Sequence, residues 1–551
     1  MHVSNHTADN YQKLHEFLKN RESYPHKPDF VQHVQTHISR VYIAPPYVYK
    51  FKKPVDFGFL DYSTLDKRKH FCEQEVELNR RLCSEIYIGV VAITKNEEGY
   101  EITPEPTDKA EIVEYAVKMK KLKEEYFLHS YIENNSLTKG HLDRVSDKLA
   151  DFYLQQSPGN DVTRYGEIDK IRFNTDENFQ QTEVFIGNTI SREAFEGIKY
   201  FTDGYLDQRE ELFTRRVEEN RIVDGHGDLH LEHIHVGPKK ICIYDCIEFN
   251  ERFRCGDQAV DLAFLAMDLD YHDRWGESRY FVDQMAQKLD DPDLTTIIDF
   301  YKCYRAYVKG KVKSLKSTDE EFEENEKQAA VDLASEYFHL SLRYALIGSR
   351  PLVLICMGRI GTGKSTLADH LSKTVTIDSF SSDRVRKKLA GLPLHERPEP
   401  EKRKELYSAE MSRKTYQTLL GHAKKNLEDG KPVIMDATFS LQSSRQNFID
   451  ELEAVDADFV FIEAQASDEV VKSRLKSRDE ENDIVSDARL EDFEMLNSRY
   501  EPPNEIDRRH KIEIDTCKVL TDTIKDLYKK LVDRQLPESG VESSQIPFKG
   551  W

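Results

Sequence analysis

The octapeptide Gly358-Arg359-Ile360-Gly361-Thr362-Gly363-Lys364-Ser365 lies between an apolar run, Leu352–Met357, and a segment of helical character beginning at Thr366. A buried strand therefore feeds a glycine loop that opens a helix. Glycines let the backbone wrap close to an anion, N–H groups and the helix N-terminus face it, and Lys364 adds a point charge. The Ser365 hydroxyl can ligate Mg²⁺. The expected phosphate contacts are Gly358, Gly361, Thr362, Gly363, Lys364, Ser365 and Thr366, so the chain reads as a nucleotide user.

After Arg350, short apolar runs at 352–357, 375–377, 433–435, 459–462 and 512–514 alternate with long helical stretches. That is the pattern of a parallel sheet covered by helices. Upstream, an alternating Val/Tyr/Phe pattern at 38–55, turning at Pro45-Pro46, predicts a hairpin, and 67–82 predicts an amphipathic helix. Strand character returns at 86–102; from Glu111 helical patterns dominate, broken by strand-like pieces at 234–236 and 241–244. The expected organisation is a first domain over 1–345 (small lobe to about 115, large lobe 116–345), a second over 346–535, and a flexible tail over 536–551.

A net charge of −21 opposes non-specific attraction to nucleic acid or anionic membrane. No apolar run is long enough to span a bilayer and the first residues lack a leader pattern, so a cytoplasmic protein without a membrane partner is expected. The eight cysteines include no Cys-x-x-Cys, which suggests neither a disulfide framework, nor a disulfide-linked partner, nor a zinc knuckle. Cys242, Cys246 and Cys356 fall in apolar runs, where reduced thiols pack as small hydrophobes.

In the second half, the segment from Asp378 to Arg386 follows the second strand, at the sheet edge where α/β enzymes bind ligands. There Asp383 can orient an acceptor hydroxyl and Arg386 can hold a substrate anion. Asp436 ends the third strand and can contact Mg²⁺ through water or help hold the acceptor; for Asp383 and Asp436 alike, helix capping is the alternative. Arg474 to Arg478 begins a charged stretch suited to a cationic lid, or to a solvated helix face. The order P-loop, Ser381-x-Asp383-x-x-Arg386, Asp436-Ala437-Thr438 and then arginines resembles the small P-loop kinases of the polynucleotide kinase, gluconate kinase and zeta-toxin group, over about 351–535. The resemblance implies ATP and Mg²⁺ as cofactors, Asp383 as general base, Arg478 as the lid arginine touching transferred phosphate, and a small-molecule or nucleic-acid-end acceptor.

In the first half, Asp224-Gly225-His226-Gly227-Asp228-Leu229-His230-Leu231-Glu232-His233 precedes Tyr244-Asp245-Cys246-Ile247-Glu248. Two carboxylates, Asp228 and Asp245, flank a short strand turn, so one can orient an acceptor while the other holds a metal on nucleotide phosphates. Upstream, Lys50 can meet those phosphates from a strand, braced by Glu75. These residues resemble the aminoglycoside phosphotransferase and protein-kinase-like superfamily, over about 30–345. The resemblance implies a bilobal kinase-like fold with Asp228 as base, Asp245 as metal ligand, Lys50 as phosphate lysine and Glu75 as its partner. It also implies a hinge beside adenine at 114–117 and a catalytic loop supported by the first Asp of the segment 257–270. Lys52 shares the face of Lys50, so the choice of lysine stays open.

His233 stands where that superfamily has Asn, and imidazole is a poor Mg²⁺ ligand. A weakened enzyme, a preference for Mn²⁺ with His233 as a metal ligand, and a domain that only binds all remain open. A metallohydrolase is a competing reading of the His226, Asp228, His230, His233 and His235 cluster, although it leaves Lys50, Glu75 and the Asp245-x-x-Glu248 pair without a role. His230 and His235 can equally be polar residues tying a loop. As a whole the chain resembles bacterial fusions of an aminoglycoside-phosphotransferase-like domain with a P-loop kinase or ATPase-like domain. Two functions follow: an ATP-dependent phosphotransferase, or an ATP-driven binding and signalling module with a catalytically weak first domain. The sequence gives no oligomeric state.

Overall fold

The computed structural model describes residues 5–97, 99–104, 106, 111–157, 159–320, 322–396, 398–479 and 489–536. The expected tail beyond Leu536, and the continuation of the charged lid stretch at 480–488, lie outside them. Two compact units emerge, one from Met1–Ile171 with Glu211–Ile298 and one from Arg172–Glu210 with Asp299–Trp551. The change of periodicity at 346–350 thus falls inside the second unit. Among the described residues, no helix is long and apolar enough to cross a membrane.

The first unit holds a six-stranded antiparallel sheet: β1 (Gln32–Gln35), β2 (Ser39–Ala44), β3 (Tyr47–Lys52), β4 (Tyr87–Asn96), β5 (Gly99–Thr103) and β6 (Glu111–Lys120), in the order β1-β2-β3-β6-β4-β5. Strand alternation sorts the β3 side chains. Tyr49 and Phe51 enter one core with Tyr24, Tyr42 and Ile93, whereas Val48 turns to the other face. There, Cys72, Val76 and Cys83 of helix α1 (Leu65–Cys83), capped by Thr64, pack with Val117 and Met119 of β6. Lys50 and Lys52 share the parity of Val48, and both reach Glu75 on α1.

Two expectations are corrected here. Residues 111–120 form a strand, not the start of helical territory, and within the expected hinge 114–117 Ala116 and Val117 pair with β3 on one side and β4 on the other, so their backbone groups are not open to a base. Glu114 is buried and accepts from Arg68 Nε at 2.9 Å. The chain also contains a disulfide, Cys83–Cys242, with a Cα–Cα distance of 4.7 Å, so Cys242 is not a reduced thiol; Cys246 and Cys356 are free and buried.

Later in this unit, β7 (Ile222–Asp224) pairs with β10 (Cys255–Asp257), while β8 (Ile234–Val236) and β9 (Ile241–Ile243) form a hairpin. A mostly buried helix, Gln258–Tyr271, lies beneath.

In the second unit, β11 (Leu352–Met357), β12 (Asp378–Ser381), β13 (Val433–Asp436), β14 (Asp458–Gln465) and β15 (Lys511–Asp515) form a parallel sheet in the order β12-β13-β11-β14-β15. The second strand sits three residues later than the apolar run at 375–377, because Thr376 turns the chain at φ 50°. Every β11 residue is buried, as befits a central strand covered on both faces. The order also puts the C-terminal end of β11 between those of β13 and β14, which is where the glycine loop emerges.

Arg445, fully buried on the helix Gln442–Glu453, ties the loop after β13 to the segment 501–505. It donates to Phe439 O at 2.7 Å and Glu501 O at 2.9 Å, and ion-pairs with Glu505. Arg445→Ala strands buried acceptors and a carboxylate, at a cost of about 3–5 kcal/mol. Hydrogen exchange in β11 and β13 under mild denaturant should accelerate accordingly; unchanged protection would show that Arg445 does not hold this loop.

Candidate active sites

In the second unit the loop's shape requires glycine at its ends. At Gly358, φ is 144° and a Cβ would meet Ala464 O at 2.5 Å; at Gly363, φ is 94° where the helix α2 (Lys364–Thr374) begins. The Thr362 hydroxyl is turned inward onto Arg359 O at 2.9 Å, so only its backbone is available to an anion, whereas Ser365 and Thr366 are exposed. Arg359 is committed to Asp468, Asn497 and Ala466 O at 2.6 to 2.7 Å.

The register Cys356↔Asp436 brings Asp436 to the base of this loop. It is 4% exposed, the Ser365 hydroxyl hydrogen-bonds its carboxylate, and its Oδ1 has no hydrogen-bond partner among the described residues. Burial pushes Asp436 above the usual carboxylate range, opposed by Lys364 and Ser365 and assisted by Asp383 and Asp369. Asp436 therefore belongs with Lys364 and Ser365, not with a helix cap. An unpaired buried oxygen beside a serine hydroxyl fits a Mg²⁺ ion or its bound water.

Asp383 lies in the first turn of the helix Ser382–Leu389, where it pairs with Arg386 at 3.0 Å. The Arg386 guanidinium is stacked over Tyr407 at 4.7 Å. Of the lid arginines, Arg474 is drawn onto the loop, donating to Gly361 O at 3.4 Å and Thr516 O at 2.5 Å. Arg478 follows one turn later on the helix Asp468–Asp479 and is partly buried.

In the first unit, Glu75 receives both lysines, Lys50 at 3.0 Å and Lys52 at 2.8 Å. Lys52 is the deeper one, closed in by Glu248, Tyr62 and Glu75, whereas Lys50 also reaches Asp245. Burial would depress the Lys50 ammonium, but Asp245 and Glu75 outweigh it and raise it. Asp245 would likewise be raised by burial; Lys50 and His233 hold it below its ordinary value instead. Tyr62 escaped the sequence reading, whereas Glu248 was singled out there through the Asp245-x-x-Glu248 spacing, though not as the partner of Lys52.

The loop around Asp228 is built from backbone hydrogen bonds. His226 N and Gly227 N donate to Asp261 at 2.6 and 2.8 Å, and Leu231 N donates to Asp268 at 3.0 Å. Asp261, not Asp257, supports the loop; Asp257 pairs with the buried Arg216. His233 Nδ1 donates to the Asp228 carbonyl at 2.9 Å, which leaves Nε2 facing Asp245 Oδ2 at 3.5 Å. Asp228, His233 and Asp245 thus converge. His235 instead packs its ring against Tyr126 and Phe127.

Residues 353–503 match the protein-family model for an AAA domain, which covers the loop, Asp383, Asp436 and the lid arginines. This part of the second unit is thus similar to an AAA domain opened by a P-loop. Uncharacterized proteins of Mycobacterium tuberculosis and Mycobacterium bovis are 29% identical over 417 residues, 74% of this chain and 78% of each relative. Among solved structures, a gluconokinase from Sinorhizobium meliloti is 14% identical, covering 34% of this chain and 94% of its own, at a TM-score of 0.25. A choline kinase from Cryptosporidium parvum Iowa II is 10% identical, covering 59% and 92%, at a TM-score of 0.36. At these scores the likenesses do not specify the fold of either unit.

Burial holds His226 neutral, its pKa pushed down to about 3. The unfolded chain takes up this proton near pH 6.5 and the folded chain does not, so stability falls as pH drops from about 6.5 toward 3. Depressed carboxylates such as Asp224 and Asp291 act lower, below about pH 4. The slope of urea-unfolding stability against pH between about 6.5 and 4 should therefore be shallower in His226→Asn. A slope unchanged from the parent would mean that His226 titrates normally.

Proposed function

We propose that the chain is an ATP-dependent phosphotransferase with two nucleotide-binding units, working in the cytoplasm, whose second unit transfers the γ-phosphate to a hydroxyl of a small molecule or a nucleic-acid end. The observation that carries this reading is the convergence of Lys364, Ser365 and the buried Asp436 at the glycine loop, with Asp383 at the end of the neighbouring strand. Loop amides and Lys364 bind the nucleotide phosphates, Ser365 and Asp436 hold Mg²⁺, and Asp383 faces the acceptor. When bound, Mg²⁺ offsets the charge on the transferring phosphate. Arg386 holds Asp383 in place and supplies positive charge to an acceptor anion, and Arg478 contributes charge from the lid side.

Two variants separate these roles. Lys364→Ala should cut ATP affinity and turnover together, whereas Asp383→Asn should leave ATP affinity within a few-fold and lower acceptor-dependent turnover by about 10²-fold or more. Nucleotide titration beside ADP release across a panel of metabolites and RNA ends measures both. Retained turnover in Asp383→Asn would remove it as base, and ATP hydrolysis that no acceptor stimulates would favour the ATP-driven signalling module.

For the first unit we propose a kinase-like fold and a second phosphotransferase site, with Lys50 on the phosphates, Glu75 bracing it, Asp228 as base, and Asp245 and His233 on the metal. Supporting it, His233 has one ring nitrogen fixed on the Asp228 carbonyl and the other turned to Asp245. An imidazole in that position favours Mn²⁺ over Mg²⁺. His233→Asn should shift the metal optimum of transfer toward Mg²⁺, read in the Lys364→Ala background to silence the second unit. An unaltered metal profile would exclude His233 from the metal.

A further inference from the structure

The segment around Asp228 carries more metal-ligand side chains than the binding of a nucleotide-bound cation requires. His226 is consumed by the loop itself: Nε2 donates to Tyr244 O at 3.0 Å while Nδ1 accepts from Asp228 N at 3.3 Å. His233 has the opposite tautomer, because its Nδ1 donates to a carbonyl and its Nε2 lone pair faces Asp245. Ligating histidines are built this way, with the second ring nitrogen fixed on a carbonyl or carboxylate. His230, 6% exposed, lies beside it with ring centroids 3.9 Å apart. The ligand atoms of Asp228, His230 and His233 all lie within 4.8 Å of one another.

Asp245, paired with Lys50, lies outside this group of three, within which His230 Nε2 and Asp228 Oδ2 are 3.5 Å apart. That is too long for a good hydrogen bond. It is close to the separation of about 3.4 Å between two donors bound at about 2.1 Å to one tetrahedral ion. Two imidazoles with one carboxylate, and water in the fourth position, make a donor set for a borderline cation; Mg²⁺ prefers oxygen ligands and retains its waters. The Asp228 side chain, about a third exposed, leaves a way in.

We propose that Asp228, His230 and His233 form a site for a borderline divalent cation such as Zn²⁺, filled without nucleotide. An ion held there engages the Asp228 carboxylate and so opposes phosphoryl transfer by the first unit. That consequence rests on the phosphotransferase reading given above, whereas the binding does not.

The test uses the full chain, stripped with a chelator and given Zn²⁺ in the absence of nucleotide. One ion per chain should survive desalting, and Co²⁺ in its place should give the intense visible absorption of a four-coordinate ion. His230→Ala should weaken Zn²⁺ binding by about 10-fold or more. Should that variant lose the cooperative unfolding of the parent, His230→Gln is measured instead. Equal retention by parent and variant overturns the proposal, as does the weak absorption of octahedral, water-ligated Co²⁺ in the parent. Mn²⁺-supported transfer in a chain that does not retain Zn²⁺ sinks this site and spares the phosphotransferase reading. Zn²⁺ retention with no nucleotide binding by the first unit does the reverse.

Discussion

Glu75 is fully buried on α1, and a carboxylate removed from water is tolerated only if cations and hydrogen bonds replace its hydration. Two lysines from one strand meet that demand, and each is held by a further carboxylate from the segment after β9. Strand, helix and the Asp245–Glu248 segment are therefore positioned against one another by a single alternating charge network. Removing any one member leaves the others with an uncompensated buried charge, which makes the geometry of the first unit's site cooperative. α1 adds further anchors: Asn79 accepts from Cys246 N at 2.8 Å, and the Arg81 guanidinium, donating to Asp224 and to Gly225 O at 2.9 Å, ties the helix to the end of β7.

The second unit solves the opposite problem. Asp436 is nearly as deeply buried as Glu75, yet it lacks a full set of partners, and its burial works against ionisation until a cation arrives. The first unit pairs its carboxylates with resident lysines; the second leaves one beside the glycine loop.

The glycine loop was legible because its chemistry is local: eight consecutive residues carry the turn, the charge and the hydroxyl. Asp228, Asp245, Lys50 and Glu75 were legible as types, and their convergence needed the fold. Residues 111–120 misled because Glu111, Glu114 and Lys118 recur at spacings of three and four, the helical intervals, while the strand's buried parity is carried by a mixture of Glu, Ala, Val and Met. The second strand of the parallel sheet was displaced because Asp378 and Ser379 do not read as strand residues, and an edge position tolerates them. Asp257 and Asp261 lie four residues apart on adjoining turns, and only packing tells the loop's support from the partner of Arg216. The Cys83–Cys242 pairing spans 159 residues, and no local signal reports it.

The helix Asp468–Asp479 is pinned twice along its length. Arg359 clamps Asp468 at its first residue, and Arg474, midway, is bolted to Thr516 and Gly361. Arg478 lies one turn past Arg474 on the same helix, so the element that reaches the glycine loop through one arginine carries the other on a common rigid frame.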